Sequence, residues 1–138
     1  MTRILGIDPG TKRCGIAVTD SQRTMAFPRT AIPRDDRTIA QLRVLVDDES
    51  IGAIVIGRPV ALSGRVTAST ADADQFFSQV SEAFDELPVT QWDERLTTSD
   101  AQKSLSAAGL STKESRDHLD SAAAVIMLQN YLDGLNAV

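Results

Sequence analysis

Residues 6–18 read GIDPGTKRCGIAV, and how this stretch folds decides the rest. A short apolar run (Ile4, Leu5, Ile7) closes on Asp8. A Pro-Gly turn and two cations, Lys12 and Arg13, follow, and a second apolar run starts at Cys14. Extended segments over 3–8 and 14–19, joined by so short a connection, predict an antiparallel hairpin.

Outward from the hairpin, 24–32 reads as a third strand, and Pro28 and Pro33 suit it to a sheet edge because proline cannot donate to a ladder. Over 37–48, Ile39, Leu42, Leu45 and Val46 recur at helical spacing and stop before Gly52. The continuous apolar run AIVIG (53–57) is that of a strand buried on both faces. A polar loop, RPVALSGR, leads to a helix over 66–84, and Pro88 precedes a short strand, VTQW. Ser99 and Gln102 fit a capping box for a helix ending at Ala108 before Gly109. Residues 110–116 are loop-like, and a final helix carries SAAAVIMLQNYL. The order β-β-β-α-β-α-β-α-α implies an α/β fold: a mixed five-stranded sheet, three antiparallel strands then two parallel, flanked by helices. No linker or repeat divides residues 1–138, which form a single domain.

The composition is that of an ordinary globular protein, with 42% apolar and 24% charged residues in 138. No apolar run reaches the roughly 20 residues of a membrane span, and MTRILGID has no signal-peptide core, so a cytoplasmic location without membrane contact is expected. A single cysteine, Cys14, excludes an intrachain disulfide and a Cys-rich zinc site. The net charge of −5 is uneven: residues 1–65 carry 10 Lys/Arg against 7 Asp/Glu, and residues 66–138 carry 4 against 12. The basic half can present one face to nucleic acid, or be an ordinary solvated surface.

Asp-Pro-Gly is common turn chemistry, so Asp8 alone reads as a turn residue. Two further carboxylates share its setting. Glu94 ends the VTQW strand, and Asp120 lies on a helix face that continues as Ala123, Ala124 and Met127. A carboxylate turned toward a sheet is expensive unless paired, and a divalent cation would pair several at once. Oxygen-only ligation suits Mg²⁺ or Mn²⁺, and two such ions roughly 4 Å apart support phosphodiester cleavage. The structural alternatives are a helix N-terminal charge for Asp120 and a solvated strand end for Glu94.

Four segments, GIDPGTKRCGIAVTD, IGRPVALSGR, DERLTT and LDSAAAVIMLQNYL, resemble the YqgF family in order and spacing across nearly the whole chain. The resemblance implies an RNase H-like fold and a metal-dependent nuclease that matures the 5′ end of 16S rRNA or resolves four-way DNA junctions. It implies that Asp8, Glu94 and Asp120 are the catalytic, metal-binding carboxylates. The chain departs from the family at Gly57-Arg58-Pro59, where Arg58 adds a cation. It also departs at Asp117, either a fourth metal ligand or a solvated first-turn aspartate.

Lys12, Arg13, Arg58, Arg65 and Arg95 all fall near one end of the expected sheet, where they would contact substrate phosphates without reading sequence. His118 is either a proton shuttle or a surface residue. Trp92 and Tyr131 are too few for a base-stacking platform. RNA is the favoured partner, with branched or single-stranded DNA the alternative and a non-catalytic binding factor a third. An actin-like ATPase, which D-x-G-T also resembles, would need a second lobe. No dimer signal stands out, so a monomer is favoured over a weak dimer.

Overall fold

The computed structural model describes residues 2–61, 63–94 and 121–136. The helix expected over 99–108 and the loop at 110–116 lie outside them, as do Arg95, Asp117, His118 and Asp120. Strands β1 (Arg3–Pro9), β2 (Arg13–Thr19) and β3 (Ala26–Pro33) precede helix α1 (Thr38–Asp48). Strand β4 (Ile51–Arg58), helix α2 (Ala68–Ala83) and strand β5 (Val89–Asp93) follow, and α3 (Ala122–Asn136) packs last. The five strands form one sheet in the order β3-β2-β1-β4-β5. β1, β2 and β3 pair antiparallel, and β1–β4 and β4–β5 pair parallel, as the element order implied.

Strand alternation divides the core in two. Leu5, Ile7, Ile16, Val18, Ile54 and Ile56 point to one face, under Leu42 and Val46 of α1 and Phe76 and Val80 of α2. Ile4, Ala17 and Val55 point to the other, under Ala124, Met127, Leu128 and Leu132 of α3. The run AIVIG is apolar throughout because β4 is covered on both sides. Gly6 belongs to the α3 face, where a Cβ would stand 3.0 Å from the Cβ and Cδ2 of Leu128, so its bareness lets α3 lie close to β1. On α3 the buried stripe runs through Ala124, Met127 and Leu128, and Ala123 is exposed.

The edge strand β3 begins at Ala26, two residues later than expected. The Asp20 carboxylate accepts from the Thr24 and Met25 N–H groups at 2.7 and 3.0 Å and holds those residues in a turn. α2 starts at Ala68 because Thr67 and Thr70 cap it reciprocally: the Thr70 N–H donates to Thr67 Oγ1 at 3.3 Å and the Thr67 N–H to Thr70 Oγ1 at 3.0 Å. The β2–β3 register shifts between Cys14 and Ile16. There the buried Ser121 hydroxyl accepts from the Ile16 N–H at 3.0 Å and donates to the Arg29 carbonyl at 2.6 Å, which pins the start of α3 to two strands.

Candidate active site

β1, β4 and β5 run parallel, so their carboxyl ends meet at one end of the sheet, the end where open α/β folds hold ligands. Asp8 lies on the α3 face of β1, in line with Ile4 and Gly6, directly opposite Gly15 of β2. The next position across the sheet is Gly57 of β4, and Gly57 pairs with Trp92 of β5. Glu94 follows β5, and its side chain lies over Gly57, with Cδ 3.0 Å from where a Cβ would stand. Two glycines thus flank Asp8, and across one of them the Glu94 carboxylate reaches it and hydrogen-bonds with it.

Burial pushes the Glu94 carboxyl up to about 8; the hydrogen bond with Asp8 and repulsion from the Asp8 and Asp93 charges act in the same direction. At neutral pH, with no cation bound, Glu94 holds a proton between two oxygen sets that repel each other once it leaves. A hard divalent cation would replace that proton, and the donors offered are all carboxylate oxygens, so the pair fits Mg²⁺ or Mn²⁺. Among the described residues no group of three His, Cys, Asp or Glu side chains is close enough together to hold a metal; the third sequence candidate, Asp120, is outside them. Its chain neighbour Ser121 is the residue anchored to β2 and β3. Cys14 lies in the core on the α1–α2 face, and burial pushes its thiol up to about 11, so it is an inert packing residue.

The expected phosphate contacts separate by strand parity. Arg13 opens β2 on the face that carries Gly15, hence on the side of Asp8, and Lys12 is exposed in the turn beside it. Arg58 follows Gly57 and therefore points to the opposite face. There Asp74 of α2 takes its guanidinium in two bonds of 2.9 and 3.1 Å. Gln91 of β5 donates to the same carboxylate at 2.8 Å, and these bonds hold the Asp74 carboxyl below the usual carboxylate range. Arg58 thus braces the ends of β4 and β5 against α2. Arg65 is exposed in the loop before α2. Trp92 meets Tyr131 edge-on, ring centroids 5.5 Å apart, and serves the β5–α3 contact.

Sequence reasoning missed Arg34. Its guanidinium donates to the Gly10 carbonyl at 2.8 Å and to both Asp72 oxygens at 3.1 Å, and lies 4.7 Å over the Phe76 ring. Its backbone N–H donates to the Lys12 carbonyl at 2.9 Å. The β1–β2 turn that carries Lys12 is thus clamped to α2 from below. The one sequence signal is TADAD (70–74), two carboxylates on the first turns of α2 that face two arginines.

A family model described as "RuvX: Holliday junction resolvase" matches residues 2–134. A Bacillus subtilis protein named "Putative pre-16S rRNA nuclease" is 40% identical over 97% of this chain and 99% of its own length. A Corynebacterium jeikeium protein of the same name is 38% identical over 95% and 86%. Among solved structures, RuvC of T. thermophilus with a Holliday junction substrate superposes with a TM-score of 0.62 at 14% identity, covering 99% of this chain and 96% of that one. The Fowlpox virus resolvase with Holliday junction DNA gives 0.62 at 11%, covering 97% and 99%. At such identities these two likenesses speak for the fold alone, and they bear out the RNase H-like sheet that the sequence implied.

Proposed function

This chain belongs to the RuvX family, the one that its four sequence motifs resembled under the name YqgF, and on that premise we propose that it is a divalent-metal-dependent nuclease acting on RNA in the 5′-end maturation of pre-16S rRNA. The observation that carries the proposal is the pair Asp8–Glu94, two carboxylates in hydrogen-bond contact at the carboxyl ends of β1 and β5, one of them held protonated near neutral pH.

Asp8 and Glu94, with Asp120 as third ligand, would hold the cation. Asp117, the candidate fourth ligand, lies outside the described residues. A bound Mg²⁺ or Mn²⁺ pair would supply charge stabilisation to the cleaved phosphodiester and lower the pKa of the attacking water. The chain's own share is geometric. Asp8 and Glu94 fix the ligand oxygens at strand ends, and the missing side chain at Gly57 gives the Glu94 carboxylate its path to Asp8. Lys12 and Arg13 stand on the carboxylate side to hold phosphates by charge-assisted contacts that carry no sequence information, and the exposed Arg65 of the loop before α2 is a further candidate contact.

RNA is favoured because the full-length relatives bear the rRNA name, and because flexible single strands can present their backbone to a shallow site. The junction-resolvase reading has its own support in the description of the matching family. Paired cuts in a junction would need two sites related by a two-fold axis. Among the described residues the exposed large apolar side chains are Met25 and Phe27 at the start of β3, with Val44, Val66 and Leu135 each on another segment; so small and scattered an apolar surface favours a monomer. The test offers purified protein, with Mn²⁺ or Mg²⁺, an rRNA precursor, single-stranded RNA, single-stranded DNA and a four-way junction side by side, with mass measured by light scattering. Metal-dependent cutting of the precursor faster than the junction, by a monomer, is expected. Symmetric paired incisions in the junction by a stable dimer would replace the RNA reading.

A further inference from the structure

We propose that Gly57 is a positioning residue: the missing side chain at the end of β4 is what lets the Glu94 carboxylate cross that strand and meet Asp8. The inference rests on the nuclease reading for its consequence, but its geometry stands alone.

β4 lies between β1 and β5, so a carboxylate arriving from the end of β5 must pass over β4 to reach Asp8. Neighbouring strands are about 4.8 Å apart, which places β1 and β5 about 10 Å apart, near the combined reach of an aspartate and a glutamate side chain. The straight path runs over position 57, on the α3 face that Asp8 shares. A Cβ there would stand 3.0 Å from Glu94 Cδ and 3.2 Å from Cγ, and closer still to Oε1. Ordinary contact between such atoms begins near 3.5 Å, so any side chain at 57 expels the Glu94 carboxylate from its place.

Backbone conformation gives no reason for glycine here. Gly64 is the described glycine with positive φ; Gly57 lies within an ordinary β-strand, where alanine fits as well. The contrast with Gly6 is informative. A Cβ at Gly6 meets the core side chain of Leu128, so enlargement there strains packing. At Gly57 it meets the far end of a flexible, half-buried glutamate that can swing away. Enlarging Gly57 therefore spares the fold and moves the ligand.

The experiment compares wild type, Gly57→Ala, Glu94→Asp, the Gly57→Ala/Glu94→Asp double variant and Glu94→Gln. For Gly57→Ala, melting of the metal-free protein should stay within about 2 °C of wild type. Its crystal structure should show Glu94 turned away from Asp8. The Mn²⁺ dissociation constant from calorimetry should rise at least about tenfold, and cleavage should fall about 100-fold. Glu94→Asp is one methylene shorter and clears the new methyl, so the double variant should cut faster than Gly57→Ala alone. Wild-type Mn²⁺ affinity with Glu94 in place overturns the inference, as does a collapsed melting temperature or a double variant no faster than the single. Absence of metal-dependent cleavage or of Mn²⁺ binding in the wild type sinks the nuclease reading instead, and wild-type cleavage by Glu94→Gln removes Glu94 from the ligands, while the crystal structure still decides the position of Glu94.

Discussion

Replacing Glu94 by Gln should stabilise the metal-free protein above neutral pH while removing a catalytic ligand. The Glu94 carboxyl moves from an ordinary 4.5 to about 8 on folding. The folded state therefore holds a proton that the unfolded chain releases between those values. Stability from this group is complete below pH 4.5, declines as pH rises, and is gone above 8. At about 1.4 kcal/mol per tenfold, the full displacement corresponds to about 5 kcal/mol. Water reaching the half-buried side chain screens part of it and leaves about 2–3 kcal/mol. For a domain of this size that is about 10 °C in melting temperature between pH 5 and 8.5. Gln keeps the shape and the hydrogen bond to Asp8 but cannot titrate. Urea or thermal unfolding in EDTA across that range should show wild type losing stability and Glu94→Gln losing much less, with the variant the more stable at pH 8.5. Millimolar Mn²⁺ should flatten the wild-type slope, because the cation takes the proton's place. Identical slopes for the two proteins in EDTA would refute the coupling of Glu94 to Asp8.

Three further outcomes follow from the surroundings of the pair. Lys12→Ala with Arg13→Ala should weaken binding to all nucleic acids and lower the slope of log K against log salt by about 1.4 on single strands; an unchanged slope would move the substrate elsewhere. Arg34→Met should cost about 2–3 kcal/mol in urea unfolding by leaving Asp72 and the Gly10 carbonyl unpaired, and should lower cleavage about tenfold as the turn loosens; an unshifted midpoint would deny the clamp. Ser121→Ala leaves a buried N–H and a carbonyl without partners and should cost about 2 kcal/mol; a neutral effect would mean that α3 is held by its apolar stripe alone.

The sheet was legible because its signals are local. Two apolar runs around Pro9-Gly10 make a hairpin wherever they occur, AIVIG can only be covered on both faces, and the prolines of β3 fit an edge. Asp8 and Glu94 were legible as a pair because each closes a strand of otherwise different character. What the sequence hid depends on parity and distance. Arg58 looks like a site cation until alternation sends it to the α2 face, one residue past Gly57. Arg34 and Asp72 are 38 residues apart and meet only after β3 and α2 are packed. The late start of β3 turned on Asp20, whose carboxylate competes locally with the ladder. Gly57 carries no chemistry of its own, so only the position of Glu94 above it gives it meaning.

The measurement that bears most directly on the central claim is single-turnover cleavage of an rRNA precursor in Mn²⁺ by wild type, Asp8→Asn and Glu94→Gln, with melting curves on the same samples. Each substitution removes a charge and almost no volume, so both variants should remain folded and lose at least about 100-fold in rate, with Asp8→Asn and Glu94→Gln together losing little more than either alone, since they act as a unit. Cutting at wild-type rate by either folded variant would contradict the account, because the meeting of these two carboxylates would then have no part in the chemistry.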